Sequence, residues 1–168
     1  MARAMIAVRL LFVCLGNICR SPTAEGVMRR LVETHGFADR VAIDSAGTGA
    51  WHVGEPPDPR AVSAARAHGV ALAGEGRQVG AGDFSAWDLL LAMDRANARE
   101  LRAIAPDEVA RAKVRLLREF DPDAVTAGEL DVPDPYLGEG GFPQVFAIVD
   151  AGCRGLLAEL RSSGRLPA

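Results

Sequence analysis

A thiol, a guanidinium and a hydroxyl fall in one short run, Cys14-Leu15-Gly16-Asn17-Ile18-Cys19-Arg20-Ser21-Pro22. A thiolate is a strong nucleophile, and a planar guanidinium can hold two oxygens of a tetrahedral oxyanion at once. The glycine-bearing turn between them precedes a helix start. Its backbone N–H groups converge on one point, where the helix dipole also favours negative charge. This suits attack of the Cys14 sulfur on phosphorus inside a cradle built from Leu15, Gly16, Asn17, Ile18, Cys19, Arg20 and Ser21. The same positive surroundings favour thiolate over thiol. A lone cysteine is more often a small buried hydrophobe, so the specificity lies in its spacing to Arg20 and in the strand-turn-helix setting.

Around that run stand residues with less specific signals. Asn17 tolerates left-handed backbone and can hold the loop through its own side chain. Ser21 is expected both to cap the helix and to bond the sulfur. Departure of an alkoxide or phenolate needs a proton, and Asp134, between Pro133 and Pro135, is a candidate acid; the other reading is an ordinary turn aspartate. Cys19 is either a packed residue or a second thiol able to capture an oxidised Cys14 sulfur as a disulfide. Cys153 falls on an apolar helical stripe and reads as core. Trp51, in a polar loop after Gly47 and Gly49, reads as a cleft wall, and Trp87 as core. His35, His52 and His68 lack metal-ligand spacing and read as surface or helix-end residues. No metal or other cofactor is expected.

The elements that would position these groups alternate. "AVRLLFVC" is a short, nearly continuous apolar run, as in a central parallel strand buried on both faces. A helix follows from Ser21-Pro22 to Gly36. Further strands are expected at 41–47, 87–94 and 113–117, with helices from Asp58-Pro59 to Gly69, through Ala98, Leu101 and Ile104, and from Phe142 to Arg161. This pattern predicts an α/β fold: a single three-layer domain over residues 1–168, with a four-stranded parallel sheet and helices on both faces. Ligands of such sheets lie at the carboxyl ends of the strands. Residues 48–57 and 121–141 do not fit the alternation and are expected to be loops. The second is longer than compact domains usually carry without a purpose.

In the 168 residues the net charge is −3, with no basic field for nucleic acid. The apolar N-terminal run is broken by Arg9 and reads as strand, not as a signal or membrane segment. Three cysteines without a disulfide framework fit a reducing compartment, so the expected location is cytoplasmic. The nucleotide loop G-x-x-x-x-G-K-[ST] is absent.

Together, "CLGNICRSP", "DSAGTGAWHVGEPPDPRA", "RQV" followed by "LLLAMD", and "DPY" resemble the low-molecular-weight protein tyrosine phosphatases, in order and over essentially the whole chain. The resemblance implies a flavodoxin-like fold and hydrolysis of phosphotyrosine in proteins through a phosphocysteine. Cys14 would be the nucleophile, Arg20 the phosphate clamp and Asp134 the general acid and then base. Asn17, Ser21 and Ser45 would hold the loop, while Trp51 and Tyr136 would grip the substrate ring. A monomer or weak self-association is expected. The sequence departs from the family at Gly74, where a loop-supporting histidine is frequent, and at Leu137, where a second aromatic often stands. Rival readings are arsenate reduction, which would need a further cysteine pair, protein-arginine dephosphorylation, often with threonine in place of Ile18, and a non-catalytic phosphopeptide-binding module.

Overall fold

A computed structural model describes residues 5–136, 138 and 141–168. Leu137 therefore lies outside the described residues. Four parallel strands, β1 (Val8–Cys14), β2 (Val41–Gly47), β3 (Leu89–Ala92) and β4 (Val114–Leu116), form one sheet in the order β2-β1-β3-β4. β1 is central, and its side chains alternate between two cores. Leu10 and Phe12 enter an apolar cluster with Ala24, Met28 and Leu31 of α1 (Arg20–Thr34) and with Val149, Cys153 and Leu156. The last three belong to α7 (Phe142–Ser162). Leu11 and Val13 join Phe84, Ala98, Leu101 and Ala110 on the other face. These come from α3 (Asp83–Ala86), α4 (Arg95–Ile104) and α5 (Glu108–Ala112). The predicted three-layer α/β arrangement is what the chain adopts.

Chain reversal between β1 and β3 puts the carboxyl end of each at a crevice, the position where parallel sheets take ligands. Cys14 ends β1, and Asp94 follows β3 as the N-cap of α4, its Oδ1 accepting from Asn97 N at 2.7 Å. α2 (Pro59–Arg66) opens as expected, with the Asp58 side chain accepting from Arg60 N at 2.8 Å. α1 does not. Cys19 is its N-cap, without a side-chain capping bond, and Ser21 lies inside the first turn. The Ser21 hydroxyl is committed to the loop instead.

Residues 121–141 also differ from expectation. A 3₁₀ turn (Leu117–Phe120) leads into α6 (Pro122–Ala127), capped by Asp121 and closed by Gly128 at φ 70°. Asp-Pro and Gly at the two ends are ordinary helix punctuation. Among the described residues of the stretch, those from Glu129 to Tyr136 form a run without helix or strand. Trp87 precedes β3 rather than beginning it, half-buried, with its Nε1 donating to Asp83 Oδ1 at 3.2 Å. Cys153 is fully buried, as predicted. Among the described residues no helix is long and apolar enough to cross a membrane.

Candidate active site

The turn after β1 folds around its own sulfur. Asn17 N–H donates to Cys14 Sγ at 3.2 Å, and Ser21 Oγ stands 3.1 Å from the same sulfur. Asn17 adopts φ 57°, the left-handed region that asparagine tolerates, and thereby turns its amide inward. Its side chain uses both amide protons and the carbonyl oxygen. Nδ2 donates to Ser21 Oγ at 2.9 Å and to Ser45 Oγ at 3.0 Å, and Oδ1 accepts from Arg77 N at 3.0 Å. Ser45 in turn donates to Glu25 Oε1 at 2.6 Å. Asn17, Ser21 and Ser45 are all buried, so each bond is made in a medium where leaving it unmade is costly. The loop rests directly on the end of β2, where a Cβ on Gly47 would come within 2.7 Å of Leu15 O. Only glycine fits there.

Arg20 rises from the first turn of α1 into the crevice. Its Nη1 donates to Asp94 Oδ2 at 2.6 Å and to Val132 O at 2.9 Å, while Nη2 lies 3.7 Å from Asp134 Oδ2. Nε is buried and has no partner among the described residues. Burial works against the guanidinium charge, but Cys14, Asp94 and Asp134 outweigh it and hold its pKa above the ordinary value. Cys19 is different. Burial first, then the charges of Asp58, Cys14 and Asp134, push its pKa up to about 12, so it stays a thiol.

Cys14, Leu15, Gly16, Ile18, Cys19 and Arg20 form the floor of a cleft of about 260 Å³, with Trp51, His52, Asp134 and Tyr136 around its mouth. The structure brings the three predicted catalytic residues together here. Asp134 is half-exposed, and its Oδ1 accepts from Tyr136 N at 3.0 Å, which fixes the carboxyl's direction. Trp51 is 73% exposed and folds over Gly49, and Tyr136 faces His52 edge-on at 5.7 Å. The side chains of Asn17 and Ser21, expected both to bind phosphate and to support the loop, lie behind the cleft, although the Asn17 N–H and the Ser21 hydroxyl both contact the sulfur. Among the described residues, no cluster of His, Cys, Asp or Glu could hold a metal ion.

The sequence profile described as low molecular weight phosphotyrosine protein phosphatase matches residues 9–166. A low molecular weight protein-tyrosine-phosphatase of Streptomyces coelicolor is 51% identical over 154 residues, covering 91% of this chain and 93% of its own. The chain belongs to that phosphatase family. The crystal structure of an Entamoeba histolytica protein tyrosine phosphatase with Hepes in its active site superposes with a TM-score of 0.87. Its identity is 37%, and it covers 95% of this chain and 99% of its own. A drosophila arginine phosphatase superposes at 0.83 with 31% identity, covering 90% and 97%.

Glu25 and the Arg77 amide carry the Asn17–Ser45 network directly, and Arg77 is itself anchored by Asp44 and Asp83. Several contributors are absent from the sequence reading. His52 was read as surface but lines the cleft, bonded to Glu55 at 2.5 Å. Asp94 orients Arg20, and Arg60 bonds Tyr136 O at 3.2 Å and lies over the rings of Tyr136 and Phe142. Asp94 sat at a visible signal, a polar residue ending a buried strand. The arginines gave none, since arginine is spread over the whole chain.

Proposed function

We propose that this chain hydrolyses phosphotyrosine in proteins through a phosphocysteine on Cys14. The observation that carries the proposal is the Cys14 sulfur on the cleft floor, bonded by the Asn17 amide, with Arg20 and Asp134 reaching into the same space. The Cys14 thiolate attacks phosphorus, and the P–O bond to the ring breaks as Asp134 protonates the departing phenolate. Asp134, now a carboxylate, takes a proton from water as that water attacks the phosphocysteine. Inorganic phosphate leaves and the thiolate returns. Arg20 and the loop amides bind the non-bridging oxygens, and their catalytic worth is greatest for the charge distribution of the transition state. Ser21 Oγ accepts from Asn17, and its one proton lies between two acceptors, the sulfur at 3.1 Å and Ala46 O at 3.3 Å.

Ile18 makes part of the floor apolar, which suits an aryl phosphate better than a phosphoguanidine. Trp51 and Tyr136 stand where they can flank the ring. Cys19 is proposed as the thiol that captures an oxidised Cys14. With three free, buried cysteines, we place the enzyme in a reducing compartment, the cytoplasm.

Hydrolysis of an aryl phosphate in the presence of a chelator tests the mechanism. Cys14→Ser is expected to lose at least about four orders of magnitude in kcat, and Asp134→Ala roughly 10²–10³. Full activity of the Cys14→Ser protein would end the covalent reading. Peptides carrying phosphotyrosine, phosphoserine and phosphoarginine, assayed side by side, test the substrate class, with phosphotyrosine expected to be preferred.

A further inference from the structure

Two buried arginines grip consecutive carbonyls just upstream of Asp134. Arg20 Nη1 holds Val132 O at 2.9 Å, and Arg118 Nη1 holds Asp131 O at 2.8 Å. Arg20 belongs to the cleft. Arg118 does not line it; it reaches in from the 3₁₀ turn behind. Its side chain is only 10% exposed, and its Nε is buried without a partner among the described residues. The nearest carboxylate, Glu129 at 3.8 Å, is 70% exposed and therefore a weak, screened partner. For stability alone this is a poor use of a buried position, because an apolar side chain would pack there without the desolvation cost of the guanidinium.

What Arg118 does accomplish is to fix a carbonyl in a segment without regular structure. Other ties on the same stretch are Val132 N to Met93 O at 2.8 Å and Arg95 N to Asp131 Oδ1 at 2.9 Å. Pro133 and Pro135 lock φ on either side of Asp134, so a displacement at Asp131 is carried along the backbone to the carboxyl. The root of Arg118 is rigid as well. α7 presses on its turn so closely that a Cβ on Gly155 would stand 1.8 Å from Phe120 O.

We propose that Arg118 is a positioning residue for proton transfer: through the Asp131 carbonyl it sets where the Asp134 carboxyl meets the leaving oxygen. This rests on the reading of Asp134 as the acid. The test is a series of substituted phenyl phosphates of increasing leaving-group pKa. For each, kcat/KM, which reports the first chemical step, is measured in wild type, Arg118→Met, Arg118→Lys, Asp134→Ala and the Arg118→Met/Asp134→Ala double variant. A good leaving group needs little proton assistance, so the Arg118→Met loss should vanish for the most acidic phenols. It should grow to about tenfold for phosphotyrosine, a part of the 10²–10⁴ that a positioned acid typically contributes. Arg118→Lys, which keeps a charged donor, should recover much of the loss. It carries the same series should the methionine variant not fold. In the Asp134→Ala background, Arg118→Met should change nothing further. A loss uniform across leaving groups, or one that adds fully to that of Asp134→Ala, would overturn the proposal. Should Asp134→Ala alone match wild type throughout, the acid assignment itself fails, an outcome the single variant identifies separately.

Discussion

The phosphate loop and the acid segment face each other across one cleft but are held in opposite ways. Residues 14–21 are bound by short side chains, Asn17 and Ser21 of the loop itself and Ser45 of β2, in a buried network and by the strand and helix on either side. Residues 129–136 are bound from outside, by long arginine side chains arriving from three other elements: Arg20 on Val132, Arg118 on Asp131 and Arg60 on Tyr136. The first arrangement preorganises a fixed array of donors for the oxyanion. The second leaves a carboxyl half-exposed, placed by its neighbours' carbonyls, where it can meet leaving groups of different shape. Transition-state charge needs rigid dipoles, whereas proton delivery needs only the right approach.

Replacing Arg20 should break both arrangements at once. Arg20→Lys keeps a charge but loses the fork that reaches phosphate, Asp94 and Val132 together, so kcat/KM should fall about 10³-fold, for good and poor leaving groups alike. A loss confined to poor leaving groups would mean that the guanidinium matters only to the acid segment. Asn17→Ala should strike the phosphate loop alone. It leaves Ser21, Ser45 and the Arg77 amide short of a partner, destabilising the fold by about 1–3 kcal/mol. It should also lower kcat/KM roughly tenfold, independently of leaving-group acidity, in contrast to Arg118→Met. Urea unfolding together with the aryl phosphate series checks both parts.

The smallest expected effect of a substitution concerns the surroundings of Cys19, where charges from both regions meet. Peroxide converts the Cys14 thiolate to a sulfenic acid; the Cys19 thiolate then attacks that sulfur, forming the disulfide and releasing hydroxide. Because the Cys19 pKa is pushed up to about 12, its thiolate fraction and hence the closure rate should climb as pH rises from 6 to 9, by about tenfold per unit. Asp58→Asn removes the leading charge that opposes ionisation, and closure at a fixed pH should then become a few-fold faster. Recovery of activity by reductant after timed peroxide exposure measures it. A rate flat with pH would show that capture by the Cys19 thiolate is not the limiting step.

How legible each region was in the sequence follows from how it is held. The strand, turn and helix around Cys14 are local, and their residue types announce the chemistry within one turn. Asp134 stood out as a carboxylate between prolines and a candidate acid, although an ordinary turn aspartate also fitted until the resemblance favoured the catalytic role. Arg118 and Arg60 act across the fold, 13 and 76 residues away from the carbonyls they hold, and like His52 carry no local pattern. The helix start at Ser21 was misplaced for a related reason. A serine that ordinarily caps is here drawn off by a sulfur and an asparagine, a competition visible only once β2 is alongside. The Asp121-Pro122 cap and Gly128 were ordinary signals, overshadowed by the reading of the whole stretch as a loop.

Because a single nitrogen of Arg20 is shared between Asp94 and Val132, the catalytic groups cannot be exchanged piecemeal. A transplanted acid segment from another scaffold would have to present a backbone oxygen at the same spot, or the clamp would swing toward whatever new acceptor it met. Engineering a different leaving-group preference on this framework therefore means redesigning both banks of the cleft in one step.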